Sequence, residues 1–212
     1  MEIKLKLCGM RRREDIDYVN EYRPDYVGFI LSGGFRRSVE FKRFCQLVSR
    51  LDSGISAVGV FVNEPVQNVL KCCEDGLNVV QLHGDEEESY IAELKRSIPK
   101  GCEIWKAVRV RSVADIERWN GSAADKLLLD AFSEASYGGT GKTADWKLIT
   151  AAKKEKPFFA AGGINAGNFT EAAMKLRPYG IDLSGGIETD GVKDRGKIAE
   201  IVRLKERLAE TE

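Results

Sequence analysis

Pro157-Phe158-Phe159-Ala160-Ala161-Gly162-Gly163-Ile164 is an apolar run closed by a Gly-Gly-Ile turn. A second run, Gly180-Ile181-Asp182-Leu183-Ser184-Gly185-Gly186-Ile187, closes in the same way. An apolar stripe with helical spacing lies between the two runs and consists of Phe169, Ala172, Ala173 and Leu176. Strand, helix and strand in this order, with matching turns, indicate two neighbouring strands whose ends form two halves of one site.

The same alternation of strand and helix extends along the whole chain. The predicted strands span residues 3–8, 26–31, 56–62, 79–83, 104–110, 126–130, 157–161 and 180–184. Most are dense in aliphatic residues, which is typical of strands covered on both faces in a parallel sheet. We expect helices to begin after Asn63, Asp85 and Asn165. Eight strand–helix pairs predict an α/β protein with a single (β/α)8 TIM barrel over residues 1–212, with an open doubly wound sheet as the alternative.

Composition excludes several classes of protein. The 212 residues include 33 Lys plus Arg and 33 Asp plus Glu, and this balance disfavours a nucleic-acid-binding protein. No apolar run approaches the ~18 residues that a membrane span requires. Five cysteines without regular spacing, beside one histidine, predict free thiols, no metal site and a cytoplasmic location. The sequence does not decide between a monomer and a homodimer.

Active sites of such barrels lie at the carboxyl ends of the strands. The polar residues predicted there, besides the glycine turns, are Cys8, Arg37, Asn63, His83, Arg109 and Asp130. Barrels commonly hold phosphate on backbone N–H groups after strands 7 and 8. The two Gly-Gly-Ile turns occupy those positions, so we expect a phosphate site there, although either turn alone could simply be a tight turn.

The side chains at these strand ends leave alternatives open. Cys8 is either a buried apolar filler or a thiolate base or nucleophile. Asp130 is either a helix cap or a carboxyl group at the barrel mouth. Arg37 suits recognition of a carboxylate, but a surface salt bridge is an alternative. His83 is either a proton relay or a structural histidine. The glycine-rich segment 137–143 lacks P-loop spacing and is typical of a lid or a wall of the site.

Taken together, these motifs form a series along nearly the entire chain. They are Lys6-Leu7-Cys8-Gly9, Val27-Gly28-Phe29, Gly59-Val60-Phe61-Val62-Asn63, Gln81-Leu82-His83-Gly84-Asp85, Leu129-Asp130, Gly138-Gly139-Thr140-Gly141 with Asp145-Trp146, Ala161-Gly162-Gly163, and Asp182-Leu183-Ser184 with Gly186. In this order the series resembles the phosphoribosylanthranilate isomerase family of tryptophan biosynthesis.

The resemblance implies an Amadori rearrangement of a small phosphosugar, N-(5-phosphoribosyl)anthranilate, without a cofactor. It implies that Cys8 is the general base, that Asp130 is the general acid and that Arg37 binds the substrate carboxylate. It places the phosphate contacts on Gly162, Gly163, Ser184, Gly185 and Gly186. The alternatives are another phosphosugar isomerase or epimerase, and a phosphate-binding barrel without activity.

Two segments depart from the family pattern. The family usually has Ser-x-Arg followed by an aromatic and an aliphatic residue after strand 2, where this chain has Phe35-Arg36-Arg37-Ser38-Val39. After strand 8 the family often has Ser-Ser-Gly, where this chain has Ser184-Gly185-Gly186. One hydroxyl group is lost, but backbone N–H groups suffice for a phosphate.

Overall fold

A computed structural model describes residues 2–131 and 146–210. Eight parallel strands form a closed barrel in the order of the sequence: β1 Lys4–Cys8, β2 Tyr26–Ile30, β3 Ser56–Phe61, β4 Val79–Leu82, β5 Glu103–Val110, β6 Lys126–Ala131, β7 Phe158–Ala160 and β8 Gly180–Leu183. β8 closes the barrel by pairing with β1, with Lys6 opposite Asp182. The predicted (β/α)8 barrel is confirmed, and the open sheet is wrong. That the barrel is the chain's single domain stays a prediction.

Helices follow the strands around the outside. They are α1 Arg13–Tyr22, α2 Phe41–Val48, α3 Val66–Glu74, α4 Glu88–Ser97, α5 Val113–Glu117, α6 Trp146–Ala151, α7 Phe169–Leu176 and α8 Arg195–Glu210. A short 3-10 turn, Gly185–Ile187, and a two-stranded hairpin, β9 Glu188–Thr189 with β10 Val192–Lys193, lie between β8 and α8. None of the helices that the structure describes is long and apolar enough to cross a membrane.

Three helices begin later than the sequence predicts. The residues that cap them are Pro65, Glu87 and Asn168 rather than Asn63, Asp85 and Asn165. The three predicted residues instead shape the loops after the strands: the Asp85 N–H, for example, donates to Asn63 Oδ1 at 2.8 Å. Asparagine and aspartate favour loop turns as readily as helix caps, so their presence alone does not locate a helix start.

The barrel interior is filled at one end and open at the other. Toward the amino ends of the strands, Trp105 stacks on Phe159 with ring centroids 4.5 Å apart, and Tyr26 and Tyr179 pack edge-on against this pair. Such aromatic pairs add about 0.5–1.5 kcal/mol each beyond the area they bury. These rings fill the amino end of the described barrel, so its interior is accessible to a ligand from the carboxyl ends of the strands.

Candidate active site

A cavity of about 490 Å³ opens at the carboxyl ends of the strands. The residues to which the family resemblance assigns a role all line this cavity, namely Cys8, Arg37, Asp130, Gly162, Gly163, Ser184, Gly185 and Gly186. Each stands at or just after the end of a strand, so closure of the barrel brings them together from distant parts of the chain.

Cys8 ends β1 and is buried, with 7% of its surface exposed. Its neighbour on β2 is glycine because a Cβ on Gly28 would lie 2.6 Å from the Cys8 sulfur. Burial raises the pKa of the Cys8 thiol, and the nearby ammonium groups of Lys6 and Lys193 partly oppose this rise. The Lys6 Nζ is fully buried and donates to Asp182 Oδ1 at 2.8 Å. Although burial lowers the pKa of Lys6, Asp182 and Cys8 raise it above its ordinary value.

Asp130 lies near the end of β6 and is 5% exposed. Its Oδ2 is 3.3 Å from Nε2 of His83, which follows β4. The other ring nitrogen, Nδ1, lies 2.9 Å from Nε2 of Gln81 on β4. The three side chains form a row along the cavity wall. Asp130 is therefore a carboxyl group at the mouth rather than a surface cap.

Arg37 is held by a carboxylate that comes from the hairpin after β8. Its Nε donates to Glu188 Oε1 at 2.6 Å and its Nη2 donates to Glu188 Oε2 at 2.7 Å. Lys193 and Arg36 each donate to the same carboxylate at 2.8 Å. Burial favours the neutral acid, but Arg37 and Lys193 outweigh it and hold the pKa of Glu188 well below its usual range. The Glu188 carboxylate is therefore ionised and fixes the Arg37 guanidinium at the cavity.

The two glycine turns bring main chain close to the cavity. Gly162 and Gly163 have φ of 84° and 70°, a conformation that L side chains rarely adopt. Their N–H groups donate to no backbone carbonyl within residues 2–131 and 146–210. A Cβ on Gly186 would overlap the carbonyl oxygen of Ile164, so the second turn packs directly on the first. The turns after β7 and β8 thus form one surface.

Residues 5–204 match the family model of N-(5'-phosphoribosyl)anthranilate (PRA) isomerase. The chain belongs to the PRA isomerase family. The resemblance seen in the sequence is confirmed, and with it the expectation of an enzyme that catalyses an isomerisation.

Similar proteins of this family align with almost the whole chain. The N-(5'-phosphoribosyl)anthranilate isomerase of Endomicrobium trichonymphae is 45% identical over 206 residues, 97% of this chain and 99% of the relative. The crystal structure of the Thermotoga maritima enzyme has a TM-score of 0.86 at 30% identity, over 97% of this chain and 99% of that one. Another solved PRA isomerase, with a TM-score of 0.81 at 28% identity over 97% and 99% of the two chains, is a complex with reduced 1-(o-carboxyphenylamino)-1-deoxyribulose 5-phosphate.

Some of the positions predicted from the sequence lie outside this cavity. Asn63 is absent from the cavity wall and accepts the Asp85 N–H instead. Arg109 lines a separate cavity of about 320 Å³ and contacts Asp85 at 3.2 Å. The glycine-rich segment 137–143 lies outside the described residues. Phe35 lines the main cavity, so the altered loop after β2 does supply an aromatic ring there.

Sequence reasoning missed four polar residues beside the cavity. These are Lys6, Gln81, Glu188 and Lys193. Lys6 and Gln81 lie within strands, where a polar side chain gives no signal of its own. Glu188 and Lys193 lie on a hairpin whose charges are those of an ordinary exposed turn. Within the described residues no cluster of three or more histidine, cysteine, aspartate or glutamate side chains is placed to hold a metal ion.

Proposed function

We propose that the chain converts N-(5-phosphoribosyl)anthranilate to 1-(2-carboxyphenylamino)-1-deoxyribulose 5-phosphate by an Amadori rearrangement in tryptophan biosynthesis, without a cofactor. The observation that carries this proposal is that one cavity is lined by a thiol, a carboxyl group, a fixed guanidinium and two glycine turns. The related enzyme whose structure holds a reduced carboxyphenylamino-deoxyribulose phosphate supports the same substrate class.

Asp130 acts as the general acid. It protonates the ring oxygen of the ribose while the C1′–O bond breaks and the anilino nitrogen forms a C1′=N bond. A carboxyl group can serve in this way when it lies within hydrogen-bond reach of the atom that it protonates. Asp130 is suited to the role because it is buried at the cavity wall beside a single imidazole.

Cys8 acts as the general base and removes the proton from C2′, which gives an enolamine that tautomerises to the ketone. Burial raises the pKa of this thiol, so its thiolate is a stronger base than an exposed one. The ammonium groups of Lys6 and Lys193 favour the thiolate and keep this stronger base accessible.

The two anionic ends of the substrate are bound by two different sets of N–H donors. Arg37 binds the anthranilate carboxylate through the N–H groups of Nη1 and Nη2 that remain after its Nε and Nη2 have each donated one hydrogen bond to Glu188. Backbone N–H groups of Gly162, Gly163, Ser184, Gly185 and Gly186 bind the phosphate. The Ser184 hydroxyl supports the phosphate site indirectly: it donates to the Cys8 carbonyl oxygen at 3.2 Å and so ties the turn after β8 to β1. Holding both ends turns binding energy into orientation of the sugar between acid and base.

The free cysteine thiols favour a reducing compartment for the enzyme. All five cysteines are free, and oxidation of Cys8 would remove the base. We therefore propose that the enzyme works in the reducing cytoplasm on a small-molecule phosphosugar.

The test is a fluorescence assay in which phosphoribosylanthranilate is made in situ and its decay is followed. We expect rapid decay with the wild-type protein, and turnover about 10²–10⁴-fold lower for Asp130→Asn and for Cys8→Ala, with KM roughly kept. Matched controls are Asp85→Asn and Cys45→Ala, which lie outside the cavity wall and keep wild-type turnover. Near-wild-type turnover in Asp130→Asn or Cys8→Ala would refute that residue's role.

A further inference from the structure

Two buried polar atoms on the cavity wall have no hydrogen-bond partner among the described residues. They are Gln81 Oε1 and His83 Nε2. Gln81 is 1% exposed, and both side chains line the cavity. Native proteins rarely leave such atoms unpaired, because their lost hydration is then not compensated. Two of them side by side at a reaction site call for a chemical explanation.

The imidazole lies between the amide of Gln81 and the carboxyl group of Asp130. Nδ1 is 2.9 Å from Gln81 Nε2, and Nε2 is 3.3 Å from Asp130 Oδ2. The second contact is close enough for an ion pair, but the two atoms do not form a hydrogen bond in this structure. Catalytic hydrogen bonds are often long or poorly aligned before the substrate binds, and this contact has that character.

Other charged groups do not take the place of His83 beside Asp130. The remaining charged or titratable side chains on the described wall of the cavity are Cys8, Arg36, Arg37 and Asp182. β3 and the residue that follows it add only Val60 and Val62 to the described wall. On β5, Lys106 donates to Glu86 at 2.9 Å and Arg109 to Asp85 at 3.2 Å, and all four line the separate cavity.

We propose that His83, oriented by Gln81, is a positioning residue for Asp130, and that His83 and Asp130 share the proton which Asp130 delivers. The inference rests on the proposed function, in which Asp130 is the general acid. The shared proton lies on His83 Nε2 or on Asp130 Oδ2. When it passes to the ring oxygen, the C1′–O electron pair stays on that oxygen, and a neutral imidazole and a carboxylate remain. Water returns the proton after Cys8 has released its own proton to solvent.

Gln81 serves both states of the imidazole. As placed, its Nε2 donates to Nδ1, which leaves the ring proton on Nε2 toward Asp130. Rotation of the amide by a half turn puts Oε1 against Nδ1, where it accepts the Nδ1–H of an imidazolium. The Oε1 atom that is now without a partner is thereby used in the protonated state.

The first test is the pH dependence of turnover in His83→Asn. An imidazole ordinarily keeps its proton to higher pH than a carboxylic acid. We therefore expect the alkaline limb of the kcat profile to move to lower pH by at least about one unit, with KM little changed. If the role of His83 were purely structural, its replacement would lower turnover equally at all pH values. An alkaline limb at the same pH in His83→Asn and wild type would overturn the inference.

The second test needs no catalysis and does not require the His83→Asn variant to fold. Because His83 is the only histidine of the chain, 15N-histidine labelling gives the signals of one imidazole in the NMR spectrum. We expect the signal of Nε2, the nitrogen that faces Asp130, to move in Asp130→Asn relative to the wild type, and to keep its wild-type position in Asp85→Asn. The control removes an exposed carboxylate two residues away, outside the cavity wall. An Nε2 signal at the same position in Asp130→Asn and wild type would overturn the inference.

The outcomes separate this inference from the proposed function. An active wild type with an unmoved limb in His83→Asn refutes the shared proton alone. A folded wild type without activity on phosphoribosylanthranilate refutes the function, and the proton sharing with it as a catalytic device.

Discussion

Replacing Glu188 by glutamine removes the one carboxylate that compensates the cations around Arg37. Its side chain is 7% exposed and accepts four charge-assisted hydrogen bonds of 2.6–2.8 Å, two of them from Arg37. Lys193, whose side chain is 1% exposed, would lose its only carboxylate partner among the described residues. Removing one member of a buried ion pair costs about 3–5 kcal/mol. We expect about 3 kcal/mol for Glu188→Gln, because the amide oxygen still accepts one hydrogen bond.

Thermal unfolding measures this loss directly. For a chain of this size each kcal/mol moves Tm by about 2–4 °C, so Glu188→Gln should lower Tm by roughly 6–12 °C at pH 7. The matched control is Glu171→Gln, whose carboxylate is 64% exposed and lies 3.8 Å from Lys175. An exposed pair of this kind contributes at most about 1 kcal/mol. If both variants unfolded within about 2 °C of the wild type, the reasoning about the buried cluster would be wrong.

The stability difference between the wild type and Glu188→Gln depends on pH. The pKa of Glu188 is lowered in the folded protein, so its contribution is present above the pKa of an unfolded glutamate, about 4.3. That contribution is lost as the pH falls below this value and through the lower folded pKa. The stability difference between wild type and Glu188→Gln should therefore be constant near neutral pH and shrink in acid. A difference that grows in acid would contradict the assignment.

Two further predictions concern the thiol and the glycine turns. In Lys6→Met the pH profile of Cys8 alkylation, followed by mass spectrometry, should move to higher pH. Each pH unit of this movement slows alkylation about tenfold at neutral pH. The control Lys4→Met, on the same strand but partly exposed, should leave the profile unchanged. In Gly186→Ala the new methyl group overlaps the Ile164 carbonyl oxygen, so the turn must shift. The affinity for inorganic phosphate, measured by calorimetry, should therefore fall at least tenfold, about 1.4 kcal/mol. An unchanged affinity would mean that the phosphate binds elsewhere.

The elements that the sequence predicts well are those with local signals. All eight strands are where the aliphatic runs place them, with ends that differ by one residue. Cys8 and Asp130 could be found because each stands at the carboxyl end of such a run. The glycine turns could be found because a repeated Gly-Gly-Ile after consecutive strands has few other uses.

The partners of these residues have no local signal, because barrel closure creates them. Lys6 and Asp182 are 176 positions apart and meet only where β1 pairs with β8. Glu188 reaches Arg37 across 151 positions for the same reason. A lysine in a strand is ordinarily expected at the surface, and only the closed barrel shows that Lys6 is fully buried.

Two buried ammonium groups beside Cys8, those of Lys6 and Lys193, explain why the cluster at Arg37 also affects the base. Burial alone would raise the pKa of the thiol and leave little thiolate, and the Lys6 and Lys193 ammonium groups oppose that rise. Burial lowers the pKa of Lys193, and Glu188 is the group that most opposes this decrease. The carboxylate that fixes Arg37 for the anthranilate end therefore also keeps Lys193 charged beside Cys8. Glu188→Gln should accordingly lower the thiolate fraction of Cys8 as well as the stability, and both effects come from one charge.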